Sequence, residues 1–450
     1  MRHRLVVGVA LVLGASASFV QLAGCAAEGS ESRSFGPGVD LDAGRVDARS
    51  DAGIPEGGTP GKDSGTPGKD SGVPDDSGTV ADTGATDSGP SSPCTAAGRI
   101  VVVAGSTSSA AGAAYGPAGW TQSPIAGMNL AAAPSVELGA SGTYHVVARA
   151  ANNGIYAARF DGTQFTAGVR VGTRAARDVP TLTPIGADML LVYQDDAAYT
   201  YYFGLFSAGA WNAGEGKVQP AGGGHSFGPR APWLGTVGAD ALLLQGGDAQ
   251  GPLFAQTYTG GAWQTAVAVG GTNVCGTTGG GGVSPCGGAP GFIALPAGGT
   301  YDALAMHIDR DTRQITASVR KASDKTWSSQ GPIRPQAPIA TTDEQVSLTR
   351  AGSNRACVAF RGNDQKGYVS CADVTGATFS WSAPTALAAN TLASPPRATR
   401  GACGADALFA LVTGGEAKLV RMTGTNVGAA ESVPGTTGAT FASLASSAAP

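Results

Sequence analysis

The sequence is poor in charge: only 14% of its 450 residues are Asp, Glu, Lys or Arg, and aromatics make up 6%. No long amphipathic stripe at helical spacing occurs, which argues against a helical bundle. There are four His, none of them paired at ligand spacing, and no CxxC, which argues against a structural zinc site. A GxSxG elbow and a phosphate-cradling glycine loop are also missing, and with them two common routes to catalysis. No cofactor is expected. The formal charge is −4, and beyond residue 93 it is close to zero, so nucleic acid finds no electrostatic footprint.

What the chain has in quantity is glycine, 70 residues, among short apolar runs. That composition means many turns between many strands. The segment GADMLLVYQDDAAYTYYFGLFSAGAW from Gly186 to Trp211 returns without a gap as GADALLLQGGDAQGPLFAQTYTGGAW from Gly238 to Trp263. Each copy reads as a turn, an apolar strand, a polar turn, a second strand and a small-residue turn closing on Trp, which is an antiparallel meander. The closing aromatic recurs at Trp120, Phe165, Trp211, Trp263, Trp327 and Trp381, and a degenerate copy without it lies near Val427.

Seven units follow, so the predicted fold is all-β: a seven-bladed β-propeller of four-stranded antiparallel blades, placed after a disordered N-terminal tether. Six blades with an extra hairpin is the alternative, because the last unit is degenerate. The second-strand runs, such as Ile100 to Ala104 and Met189 to Tyr193, are apolar at successive positions, as required where both sheet faces are buried. The first unit starts directly at its second strand, and Ala439 to Ser447 is a spare strand at the other end. Pairing of the two would close the ring without leaving an open edge.

Residues 1–24 read as an export signal: Arg2 and Arg4, an apolar run from Leu5 to Val20, then Leu22-Ala23-Gly24-Cys25. Those last four residues resemble the lipobox of bacterial lipoproteins. The resemblance implies that Cys25 becomes the first mature residue, carries the acyl chains and anchors the protein to a membrane. Ala26 at the following position implies outer-membrane sorting, on the periplasmic face or the cell surface. Residues 25–93 then form a Gly/Pro/Ser/Asp linker that repeats TPGKDSG at Thr59 and Thr66 and carries 13 acidic against 5 basic residues beyond Cys25. Too little apolar surface is present to offset the entropy of ordering it, and as a coil it reaches roughly 45 Å. The propeller domain spans 94–450.

The turns before the closing aromatics (YGPAGW, FDGTQF, FSAGAW, YTGGAW, SDKTW) resemble the Asp box of sialidases and related propellers in glycine and aromatic. Only Ser323, Asp324 and Trp327 add further matches. The resemblance implies a packing role for the Trp residues. The Arg-Ile-Pro of sialidases is missing from the propeller, and glycoside hydrolysis needs two converging carboxylates. A non-catalytic binding propeller for a glycan or protein is therefore the primary reading; a structural envelope subunit and a sialidase-like hydrolase are the alternatives.

Six cysteines remain in an exported chain, so disulfides are expected. Cys357 and Cys371 flank a turn symmetrically, Cys275 and Cys286 bracket a glycine-rich loop, and Cys94 and Cys403 pair by elimination, locking the first blade to the last. Ligand binding is expected on the face where second-to-third-strand loops meet the links between blades, because the charge gathers there while the opposite turns are small and neutral. The candidate binding residues are Arg177, Asp195, Asp196, His225, Arg230, Asp309, Arg310 and Arg361. His145 and His307 fall inside second strands and read as core or groove residues.

Overall fold

The computed structural model describes residue 94, and residues 98–197, 200–207, 210–211, 214–218, 231–246, 252–270, 290–309, 312–333 and 345–447. All belong to the compact unit Ala85–Pro450. The signal segment, Cys25 and the linker lie outside the described residues.

Seven antiparallel sheets are present, each built from four strand positions in sequence order. In three of them the outermost position is split into two short pieces, as in blade 7 with Asn426–Val427 and Glu431–Ser432. Blade 1 is the exception to sequence order. Its innermost strand is Phe441–Ser447, which pairs with Arg99–Gly105 from Arg99 opposite Ser447 to Gly105 opposite Phe441. The spare C-terminal segment thus supplies the strand that the first unit lacks. The seven innermost strands touch one another in a closed cycle: Phe441–Ser447, Ser135–Leu138, Thr181–Ile185, Trp233–Val237, Gly291–Ala294, Ser347–Ala351, Arg397–Arg400 and back to Phe441–Ser447. This is a closed seven-bladed propeller, and the six-bladed alternative is excluded.

The second strands are the most deeply buried, as their unbroken apolar runs require. Ile100 to Ala104, Leu190 to Tyr193 and Ala356 to Ala359 are all fully covered. Alternate residues of one strand face different neighbours: Ile100 and Val102 pack toward blade 7, Val101 and Val103 toward blade 2. Each closing aromatic sits opposite a fixed position of the third strand. Tyr115 faces Trp120, Phe206 faces Trp211 and Tyr258 faces Trp263, with ring centroids 5.2, 4.8 and 5.1 Å apart. The aromatics pack on the third strand of their own blade, and some also reach the neighbouring blade: Trp263 lies 5.7 Å from the Phe203 ring and Trp120 Nε1 donates to Glu431 at 3.0 Å.

Two disulfides join described residues. Cys357 and Cys371 are directly opposite in the ladder of blade 6, and Cys94 is bridged to Cys403, 309 residues away, at the seam between blades 1 and 7. Cys275 and Cys286 lie outside the described residues.

Candidate functional site

The link between blades 2 and 3 brings three of the expected binding residues together. Ala176 forms a bridge with Asp195, the Arg177 amide donates to the Gln194 carbonyl (2.9 Å), and the Asp196 amide donates to the Ala175 carbonyl (2.9 Å). Asp195 is only 6% exposed, accepting from Arg174 Nη1 at 3.2 Å and from the Ala197 amide at 2.9 Å. Arg174 also lies 3.6 Å from Glu215 Oε2 and 4.0 Å above the centre of the Tyr202 ring. Glu215 accepts in turn from the Tyr193 hydroxyl (2.8 Å) and the Thr173 amide (3.2 Å). Burial and then the Glu215 bond push the Tyr193 phenol up, while the hydrogen bond to Asp195 raises the Arg174 guanidinium further. The charges of this group bind each other across the blade junction, so Asp195 is part of a tie between blades. Asp196 stays exposed, accepting one bond from Asn153 Nδ2 at 3.3 Å.

The other described candidates stand on separate blades. In blade 5, Asp309 Oδ1 accepts from the amide and hydroxyl of Thr312, three residues on (2.9 and 2.8 Å). Arg361, half-buried in blade 6, donates to the Leu392 carbonyl at 2.7 Å. His225, Arg230 and Arg310 lie outside the described residues. Asx turns, in which the carboxylate bonds the amide and hydroxyl of a Thr two residues on, stand in third-to-fourth-strand turns: Asp161 with Thr163, Asp324 with Thr326 and Asp373 with Thr375. These bonds stabilise the carboxylates; those to the Gln164 amide and to Thr163 hold Asp161 down at about 2. The acidic part of the Asp-box resemblance is thus a turn-forming device.

A recess opens between blades 2 and 3 on the side of the third-to-fourth-strand turns, away from the second-to-third-strand loops that carry Asp195 and Asp196. Its volume is about 450 Å³, and its walls come from the second, third and fourth strands of blade 2 and the outer part of blade 3. Phe206 and Trp211 form an aromatic wall, Val169 stands 64% exposed on the rim, and His145, Arg159 and Arg170 supply the polar groups. His145 and Arg159 face each other in the ladder of blade 2, and Glu137 is the residue opposite His145 on the other side. Burial, reinforced by the Arg159 charge, lowers the His145 imidazole, so it is neutral at ordinary pH and offers one donor and one acceptor. The Trp211 Nε1 is buried without an acceptor.

None of the five described sequence candidates, Arg177, Asp195, Asp196, Asp309 and Arg361, lines this recess. Its polar residues could have been noticed as His145 and Arg159 inside runs otherwise apolar, but nothing local tells that the two are cross-strand partners. His307, the other strand histidine, is a core residue with no exposed surface.

No protein-family model matches this sequence, and no curated protein matches it. Solved structures similar to it include the BP39L lectin from Burkholderia pseudomallei, at 14% identity over 75% of this chain and 96% of that one, with a TM-score of 0.55. A protein from Lactobacillus plantarum is 12% identical over 77% and 99% of the two chains, with a TM-score of 0.49. A fucose-specific lectin from Aleuria aurantia is 14% identical over 68% and 97%, with a TM-score of 0.47. At such identities the likeness speaks for the fold alone, and in the BP39L lectin it is a likeness of nearly the whole of that chain to the propeller described above.

Proposed function

We propose that this chain is an exported, lipid-anchored, non-catalytic propeller that binds a glycan in the recess between blades 2 and 3. The observation that carries the reading is the pairing, in one recess of about 450 Å³, of an aromatic wall with cationic and imidazole groups. A sugar has an apolar C–H face and a rim of hydroxyls, so it calls for a ring surface on one side and hydrogen-bonding side chains on the other. Phe206 and Trp211 provide the first; Arg159, Arg170 and His145 provide the second. Because BP39L is a lectin, sugar binding is among the activities this fold carries. The lipobox resemblance at Cys25 supports the anchor, and the linker gives the propeller reach from the membrane.

Calorimetric titration with a panel of monosaccharides and glycan-array binding test the recess. Arg159→Ala and Trp211→Ala should each weaken binding about tenfold or more, the loss of one good polar or stacking contact. Unchanged binding in both, together with loss on Arg177→Ala or Asp196→Ala, would move the site to the loop face. The anchor has a separate test: Cys25→Ser should abolish acyl labelling and release the protein from membranes.

A further inference from the structure

The axis of the ring encloses a second cavity of about 70 Å³, lined by innermost-strand residues from six of the blades, all but blade 5, and by the ends of links that precede them. That is several times the roughly 10–15 Å³ that one water needs. Arg397, at the start of the innermost strand of blade 7, lines it and is 8% exposed. Its guanidinium lies 6.0 Å from the centre of the Trp233 ring in blade 4, so the side chain extends across the axis. Its Nε has no acceptor, and no carboxylate among the described residues pairs with it. Burial brings its pKa down to about 10, against the more distant pull of Asp178, which still leaves it charged at neutral pH.

A buried guanidinium without a counter-charge is costly, and structures retain one where an anion completes it. The rest of the lining agrees. Gln345, also 8% exposed, has its Nε2 donor unused. Ser347 Oγ accepts from the Ala398 amide (2.9 Å) and Ser135 Oγ from the Leu182 amide (3.2 Å), which leaves each hydroxyl proton free to donate. The one carboxyl among the described lining residues is Glu137, and desolvation lifts it to about 8, so near neutral pH it carries its proton and does not repel an anion.

We infer that the axial cavity is a binding site for a small oxyanion, a carboxylate or a phosphate, held by Arg397 and Gln345 with the Ser135 and Ser347 hydroxyls. The site is independent of the glycan reading, since no described residue lining the recess between blades 2 and 3 lines this cavity.

The test is a thermal-shift series on the full chain with sodium acetate, sodium phosphate or sodium chloride at matched ionic strength, which removes differences in charge screening. Acetate or phosphate should raise Tm saturably by a few degrees above the chloride control, as a ligand bound only to the folded state does. The anion that acts identifies the chemistry. Gln345→Leu should reduce that response and Arg397→Met should abolish it. In chloride, Arg397→Met should melt no lower than the parent, because it removes an unpaired buried charge while keeping most of the volume. The inference is overturned if neither oxyanion exceeds chloride, if the response persists in Arg397→Met, or if that variant melts well below the parent in chloride.

Discussion

His307 and Glu137 are displaced in opposite senses by the same cause, and their pH effects therefore run in opposite directions. Desolvation lowers His307 to about 4, against the weaker pull of Asp309, and neither ring nitrogen has a hydrogen-bond partner. The unfolded chain takes up that proton first, near 6.5, so the His307 contribution is complete above about 6.5 and is lost as pH falls toward 4, by about 3 kcal/mol in all. Glu137, raised to about 8, behaves in reverse: its contribution is complete below the unfolded value near 4.5 and declines as pH rises toward 8. Between about 4.5 and 6.5 the two slopes oppose each other. Urea midpoints measured across pH should show His307→Gln losing the decline on the acid side and Glu137→Gln losing the decline on the alkaline side, with Glu137→Gln more stable than the parent at pH 8. Parallel pH profiles in parent and variants would contradict the burial argument.

Within a blade, the third and fourth strands are fitted to each other by glycine. A Cβ at Gly204 would fall inside the Trp211 indole, which lies flat over that backbone and also forms the aromatic wall of the recess. Gly204→Ala should cost about 1–3 kcal/mol as overpacking and should weaken glycan binding together with it, because the indole must shift. Denaturant unfolding and calorimetry on the same sample check both halves; a destabilised variant with parental affinity would separate Trp211 from the site.

Much of this element-level order was legible in the sequence. The direct repeat gave the meander, the apolar runs gave the buried second strands, and the symmetric placement of Cys357 and Cys371 about a turn gave a register that the ladder reproduces. The recess was not legible, because it depends on which alternate residues of blade 2 turn toward blade 3. Periodicity shows that Val147 and Val146 face opposite sides, but their separate neighbours follow from the angle between blades. Charge on loops was also ambiguous: Asp195 and Asp196 are adjacent in sequence, yet the first is consumed by Arg174 and the second is exposed.

The whole ring is held shut at one seam by two devices of different kinds, and their separate removal should have different consequences. Pairing of Phe441–Ser447 with Arg99–Gly105 supplies the inner strand of blade 1, buries Ala442, Leu444 and Ala445 and touches the innermost strands of blades 2 and 7. The Cys94–Cys403 bridge adds a covalent tie across the same seam. Opening that bridge by Cys94→Ala with Cys403→Ala leaves every strand paired and relaxes mainly the unfolded chain, so the expected loss is about 2–5 kcal/mol with a single cooperative transition retained. Ending the chain after Gly438 is more severe. It leaves Arg99–Gly105 as an unpaired edge beside the axis and exposes the apolar faces that Leu444 and Ala445 cover, a template for pairing with another copy. The truncated chain should elute as dimers or larger species and unfold over a broad range, whereas the bridge variant should stay at the size of the parent. A monomeric, cooperatively unfolding truncation would mean that six complete blades and the bridge hold the ring without its closing strand.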